Sequence, residues 1–191
     1  MGDYKVSIPP FQHGEFRSMK PKEANEYYEW YISEIENRIS ILFNRIKDDG
    51  INIEPDYTKD SLIPLWEWYE KNIFFREKND EEKMIQKNNY PEWMHPYLSE
   101  KLLSYETLAY CMDVAVYFAK VMIENNDSKV KWGYFTKPKN RSSVNQPVLI
   151  GFKYDKILNP REIVYNCTLR SGEKRLSSRL YDIYNVWVNF L

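Results

Sequence analysis

The stretch LSYETLAYCMDVAVYFAKVMIE (103–124), continued by KVKWGYFTKPKNR (129–141) and PVLIGF (147–152), decides the architecture. Ser104 precedes a run in which Leu108, Met112, Ala115, Val116, Ala119, Met122 and Ile123 recur every three or four residues. That spacing predicts a Ser-capped helix with one apolar face turned to a core. Beyond it, Val130 to Phe135 and Val148 to Phe152 are short β-branched and aromatic runs, and the Lys-, Asn- and Ser-rich segment between them holds Pro138 and Pro147. Two strands joined by such a loop predict a β-hairpin. A core helix thus leads into a small sheet, with a basic aromatic loop where they join.

Helical periodicity continues on both sides. Pro21 suits a first helical turn, Glu23, Glu26 and Glu29 favour the positive end of the helix dipole, and Gly50 suits a helix stop. Between them Tyr28, Tyr31, Ile32, Ile35, Ile39, Leu42, Phe43 and Ile46 make a continuous apolar stripe. Asp60 or Ser61 is expected to cap a second helix through Leu65, Trp66, Trp68, Tyr69 and Ile73. Asn159-Pro160 with Glu162 starts another, Gly172 is expected to end it, and Leu176, Leu180, Ile183, Tyr184 and Trp187 mark a last helix. Residues 1–16 are aperiodic and Pro-containing, so they read as an arm on the body. Residues 76–96 are charged and then broken by Pro91 and Pro96, so they read as a solvated connector, with a solvated helical extension over 76–89 as the alternative. The fold class expected for 1–191 is a single α+β domain, predominantly helical, with a small antiparallel β-sheet or hairpin.

Composition narrows the function classes. With 191 residues, 43% hydrophobic and 16% aromatic, the chain has enough apolar surface for one core. No segment approaches the roughly 18 apolar residues of a membrane span, and Met1 to Pro10 lacks a signal-like apolar run, so a cytoplasmic protein with no membrane partner is expected. In such a compartment Cys111 and Cys167 are thiols. The net charge of −1 conceals an asymmetry: residues 1–100 hold 20 acids and 13 bases, and residues 101–191 hold 8 acids and 14 bases. Either the halves meet and neutralise each other or the molecule has two faces of opposite sign.

The chemistry-bearing residues are few. His13 and His95 belong to no HExxH or Cys-His spacing, and the chain has no GxSxG, GxGxxG or GxxxxGK[ST] motif. No metal, cofactor or catalytic set is therefore expected. Asp113 interrupts an apolar helix, where an unpaired carboxylate is costly, so it calls for an Arg or Tyr partner. Arg17, Asp113, Asn159 and Arg161 are the polar candidates on which an enzyme with an unfamiliar site would draw. Trp132, Tyr134, Lys137, Lys139 and Arg141 interleave aromatics with bases, as single-stranded nucleic-acid binding requires. In a strand, however, Trp132 and Tyr134 share one face with Val130, which suits a core equally well. The remaining aromatic candidates for a partner surface are Trp66, Trp68 and Trp93.

The Phe16-Arg17-Ser18-Met19 start, the block from Asp56 to Trp66, and the pattern of Trp132, Pro147 to Phe152 and Asn159-Pro160 resemble a group of uncharacterised bacterial proteins. Proteins of this kind are similar to the small cytosolic immunity partners of secreted polymorphic toxins. The resemblance implies stoichiometric binding that blocks a toxin, and it carries over no active site, because its motifs are caps, turns and packing residues. The expected function is a non-enzymatic protein-binding module with a protein partner such as a toxin. Nucleic-acid binding through 129–141 is the alternative.

Overall fold

A computed structural model describes residues 4–126, 129–171 and 176–191. α1 (Pro21–Asp48) begins with Pro21 in the first turn, and the Lys20 amide donates to Glu23 Oε2 at 2.6 Å. It buries Tyr31, Ile35, Ile39, Leu42, Phe43 and Ile46 from the expected stripe, together with Ala24 and Tyr27, and leaves Tyr28 and Ile32 half-buried. Gly50, at φ +79°, turns the chain out of the helix. α2 (Leu62–Lys71) follows a 3-10 turn (Lys59–Ser61) capped by Thr58, whose side chain accepts from the Ser61 amide. Ser61 holds the N-cap position of α2 as expected, but its hydroxyl makes no cap hydrogen bond and lies 2.8 Å from the buried Tyr117 hydroxyl instead.

α4 (Tyr105–Glu124) is the centre of the molecule. Ser104 caps it as expected, accepting from the Thr107 amide at 3.1 Å. α4 packs on α1, α2 and α5 (Pro160–Arg170). The Asn159 side chain accepts from the Glu162 amide, so the cap of α5 is the expected one. Gly172, expected to close this helix, lies outside the described residues. α6 (Arg179–Val188) packs on α2. Trp66, Trp68, Tyr69, Tyr110, Tyr117 and Phe118 are the largest wholly buried side chains.

The expected hairpin is β3 (Lys131–Gly133) paired antiparallel with β4 (Val148–Ile150), with Trp132 opposite Leu149. Gly151 follows at φ +112°, and a Cβ there would lie 1.8 Å from the Lys129 carbonyl oxygen, so only glycine fits. The arm runs over α1 and α4, and Tyr4 packs on Tyr110.

The supposed connector has structure of its own. β1 (Phe75–Glu77) and β2 (Lys101–Leu103) pair antiparallel, and α3 (Asp80–Asn89) and a 3-10 turn (Glu92–Tyr97) lie between them. Asn79 and Glu82 form a reciprocal capping box on α3. The architecture is α+β and mostly helical, with two small two-stranded antiparallel sheets. Among the described residues no helix is long and apolar enough to cross a membrane.

Ion pairs join the two halves in both senses. Arg38 of α1 pairs with Asp113 of α4 at 2.5 Å, and Lys120 of α4 reaches Glu36 of α1 at 2.9 Å.

Candidate functional site

Two regions concentrate chemistry that packing alone does not require. The first is the excursion from Phe74 to Tyr105. Eight of the thirteen large apolar side chains exposed among the described residues belong to it, including Met84, Ile85, Trp93, Tyr97 and Tyr105. Trp93 and Tyr97 are 72% and 82% exposed, and α3 buries no residue. Exposed carboxylates from Glu77, Asp80, Glu81, Glu92 and Glu100 and exposed ammonium groups from Lys87 and Lys101 accompany them.

Polar contacts hold most of this excursion, in which Lys78 and Leu103 are the buried residues. Arg76 pairs with Glu82 through two hydrogen bonds of 2.6 and 2.7 Å, and its guanidinium lies 4.6 Å from the Tyr105 ring centroid. The hydrogen bond from Arg76, aided by the Asn79 amide, brings the Glu82 carboxyl down to about 2. His95 Nε2 is 3.0 and 3.1 Å from the carbonyl oxygens of Lys87 and Tyr90, so this imidazole closes the C-terminal end of α3. Lys78 Nζ donates to the Ser99 carbonyl at 2.6 Å. The base of the excursion is tied to α4: the Phe74 amide donates to Thr107 Oγ1 at 2.9 Å.

The second region lies where the arm, α4 and the start of α5 converge. Asn159 Nδ2 donates to Ser143 Oγ and Gln146 Oε1, and Arg161 Nη2 donates to the same Gln146 oxygen at 3.2 Å. Arg161 Nη1 donates to the Tyr27 hydroxyl at 3.1 Å. Its charge lies 5.2 and 5.3 Å from the ring centroids of Phe16 and Tyr31, an aromatic frame drawn from the arm and α1. A cleft of about 560 Å³ opens beside it.

Of the four polar candidates, the structure brings Asn159 and Arg161 together. Arg17 is exposed in the turn after Phe16 and makes no hydrogen bond or ion pair among the described residues. Asp113 meets both partner types expected of it, Arg38 Nε at 2.9 Å and the Tyr4 hydroxyl. Burial pushes its carboxyl above the usual range, against the downward pull of these two donors. Burial and the Asp113 charge together push the Tyr4 hydroxyl far up. With its oxygens occupied and closed off, Asp113 is a buried tie between arm, α1 and α4.

The aromatic candidates divide. Trp66 and Trp68 are wholly buried, with Trp68 Nε1 donating to Asp49 Oδ2 at 2.9 Å, so they belong to the core and present nothing to a partner. Trp132 packs edge-on to Tyr31, and Tyr134 packs on Tyr28 while donating to Asn25 Oδ1 at 2.9 Å. Lys137, Lys139 and Arg141 are exposed, although Lys139 Nζ donates to the Met19 carbonyl at 2.8 Å and Arg141 lies over Phe135. Cys111 and Cys167 are buried free thiols, and burial pushes Cys111 up to about 11. Among the described residues no group of three metal-ligating side chains converges.

Sequence reasoning missed Tyr97 and Tyr105 on the excursion, and Gln146 and the aromatic frame of Arg161. The Asn79 to Glu82 spacing, a local capping signal, was the available pointer to α3. Nothing local marks the frame, because Phe16 and Tyr27 lie far from Arg161 in the chain. Compared with family models, curated proteins and solved structures, the chain matches none.

Proposed function

We propose that the chain is a cytoplasmic, non-enzymatic protein-binding module of the immunity type, which blocks a protein partner such as a toxin by stoichiometric binding. One observation carries this reading: the exposed large apolar side chains concentrate on the excursion 74–105, where α3 buries nothing. Apolar side chains gathered in water mark interaction surfaces, and Trp and Tyr are the anchors that interfaces favour.

Nucleic-acid binding through 129–141 is the weaker reading. Its exposed bases supply phosphate attraction, but Trp132 and Tyr134 are engaged by Tyr31 and Tyr28, which removes the stacking platform. The two readings separate in one experiment. Tagged chain is incubated with native lysate at moderate salt, and protein and nucleic acid are measured in the eluate. The proposal expects a stoichiometric protein partner that is lost from the double variant Trp93→Ser, Tyr97→Ser and kept by Lys131→Glu, Lys137→Glu. The opposite pattern, or salt-sensitive nucleic acid alone, overturns it.

A further inference from the structure

Arg161 differs from the other arginines whose partners are carboxylates. Arg38, Arg45 and Arg76 are met by Asp113, Asp49 and Glu82. Arg161 forms no such pair among the described residues: its two hydrogen bonds go to neutral oxygens of Tyr27 and Gln146, and its Nε is buried with no acceptor. A guanidinium carries about five N–H donors, so most of its capacity remains unused. The aromatic frame fixes the group in place, which lowers the ordering cost of any anion that meets it.

The cleft beside it supplies the rest of a site. Its volume, about 560 Å³, is that of a small-molecule pocket, and Val6, Phe16, Leu108, Met112 and Tyr165 make its walls apolar. Leu108 and Met112 are four residues apart on α4, and Arg161 and Tyr165 are four apart on α5, so two helix faces converge on one space. A guanidinium that no carboxylate meets within ion-pair distance among the described residues, beside an apolar wall, matches a ligand with one negative charge and a hydrocarbon body. The polar neighbours restrict the head group. Gln146 and Asn159 are neutral, and Glu162 also lines the cleft, so a dianion such as a phosphate monoester would be under-neutralised and repelled.

We infer that this cleft binds an apolar monocarboxylate, its carboxylate on Arg161 and its body along Leu108 and Met112. The site uses none of the exposed aromatics of the excursion, so it stands or falls separately from the protein-binding reading.

Calorimetric titration of the full chain with octanoate and with octanamide, which has the same length and no charge, tests the inference. Octanoate is expected to bind one-to-one and about tenfold or more tighter than octanamide, the difference that a charge-assisted pair with arginine makes. Arg161→Gln removes that preference. Because Arg161 also holds Tyr27, its variant is first checked by thermal melting, and Met112→Trp, which fills the cleft and leaves Arg161 in place, provides a second test: it is expected to abolish binding of both compounds. No saturable binding of octanoate, equal affinity for the amide, or binding that survives Met112→Trp overturns the inference.

Discussion

α4 and α3 are both side-chain-capped helices of one chain, yet α4 buries thirteen of its twenty residues and α3 buries none of its ten. The first is helical because its apolar faces have α1, α2 and α5 to pack against. The second is helical because of what lies within a few residues of it: a capping box, the Arg76 to Glu82 pair and an imidazole at its C-terminal end. Isolated helices of about ten residues are marginal in water, so α3 depends on these local ties while α4 depends on the whole fold. The difference separates stability from recognition. Side chains that α3 and its flanks leave unburied are available to a partner, and their loss does little to the body.

The largest test of that division is Arg38→Ala. It leaves the Asp113 carboxylate in the body without its cation, and removing one member of a buried pair costs about 3–5 kcal/mol. Denaturant melts should show the loss at every probe, α3 included, since the body carries the excursion. A loss confined to the arm would break the comparison.

Cap removal is smaller and sharper. Ser104→Ala and Asn79→Ala each remove a cap worth about 1 kcal/mol. The first is expected to lower the global unfolding midpoint. The second should raise hydrogen exchange over residues 80–89 only and leave the α4 amides unchanged, and protection lost equally in both helices would show that α3 is part of the core's cooperative unit.

Acid should also distinguish the regions. The Glu82 carboxyl is held down at about 2 against an ordinary 4.5, so its contribution is complete above that ordinary value and disappears as pH falls toward about 2. Asp113 is raised, so the folded body takes up that proton more readily than the unfolded chain, and this group opposes acid unfolding. Between pH 4.5 and 2, hydrogen exchange should therefore open α3 before α4.

The smallest expected effect on stability belongs to Trp93→Ser with Tyr97→Ser, about 0.5 kcal/mol or less for each exposed site by equilibrium melting. A larger fall would mean that these rings pack on something and would weaken their use as anchors.

What was legible in the sequence follows the same division. α1 and α4 were readable because a buried stripe and an end signal, Pro21 or Ser104, repeat one message at two levels, and α5 was readable from its Asn159-Pro160 start. The excursion was not, since its helix has no buried stripe and its two three-residue strands pair across more than twenty intervening residues. Trp66 and Trp93 are indistinguishable as letters. Only the packing of α2 on α4 and α6 separates a wholly buried ring from one in water. The Asn159 cap was readable locally, whereas the frame around Arg161 needs Tyr27, 134 residues earlier.

That span bears on the order of assembly. Tyr4 leaves the ribosome 109 residues before Asp113, and Phe16 leaves 129 before Asn145, whose side chain donates to its carbonyl at 2.6 Å. The arm is thus synthesised long before the surfaces that receive it, and closing such long loops is slow relative to helix formation. Until α5 emerges, Arg161 and the wall of its cleft formed by Asn159, Glu162 and Tyr165 do not exist, although the partners of Tyr4 on α1 and α4 are already made. Any ligand that fills the finished cleft would hold Val6 and Phe16 against α4 and α5 only after both helices are in place.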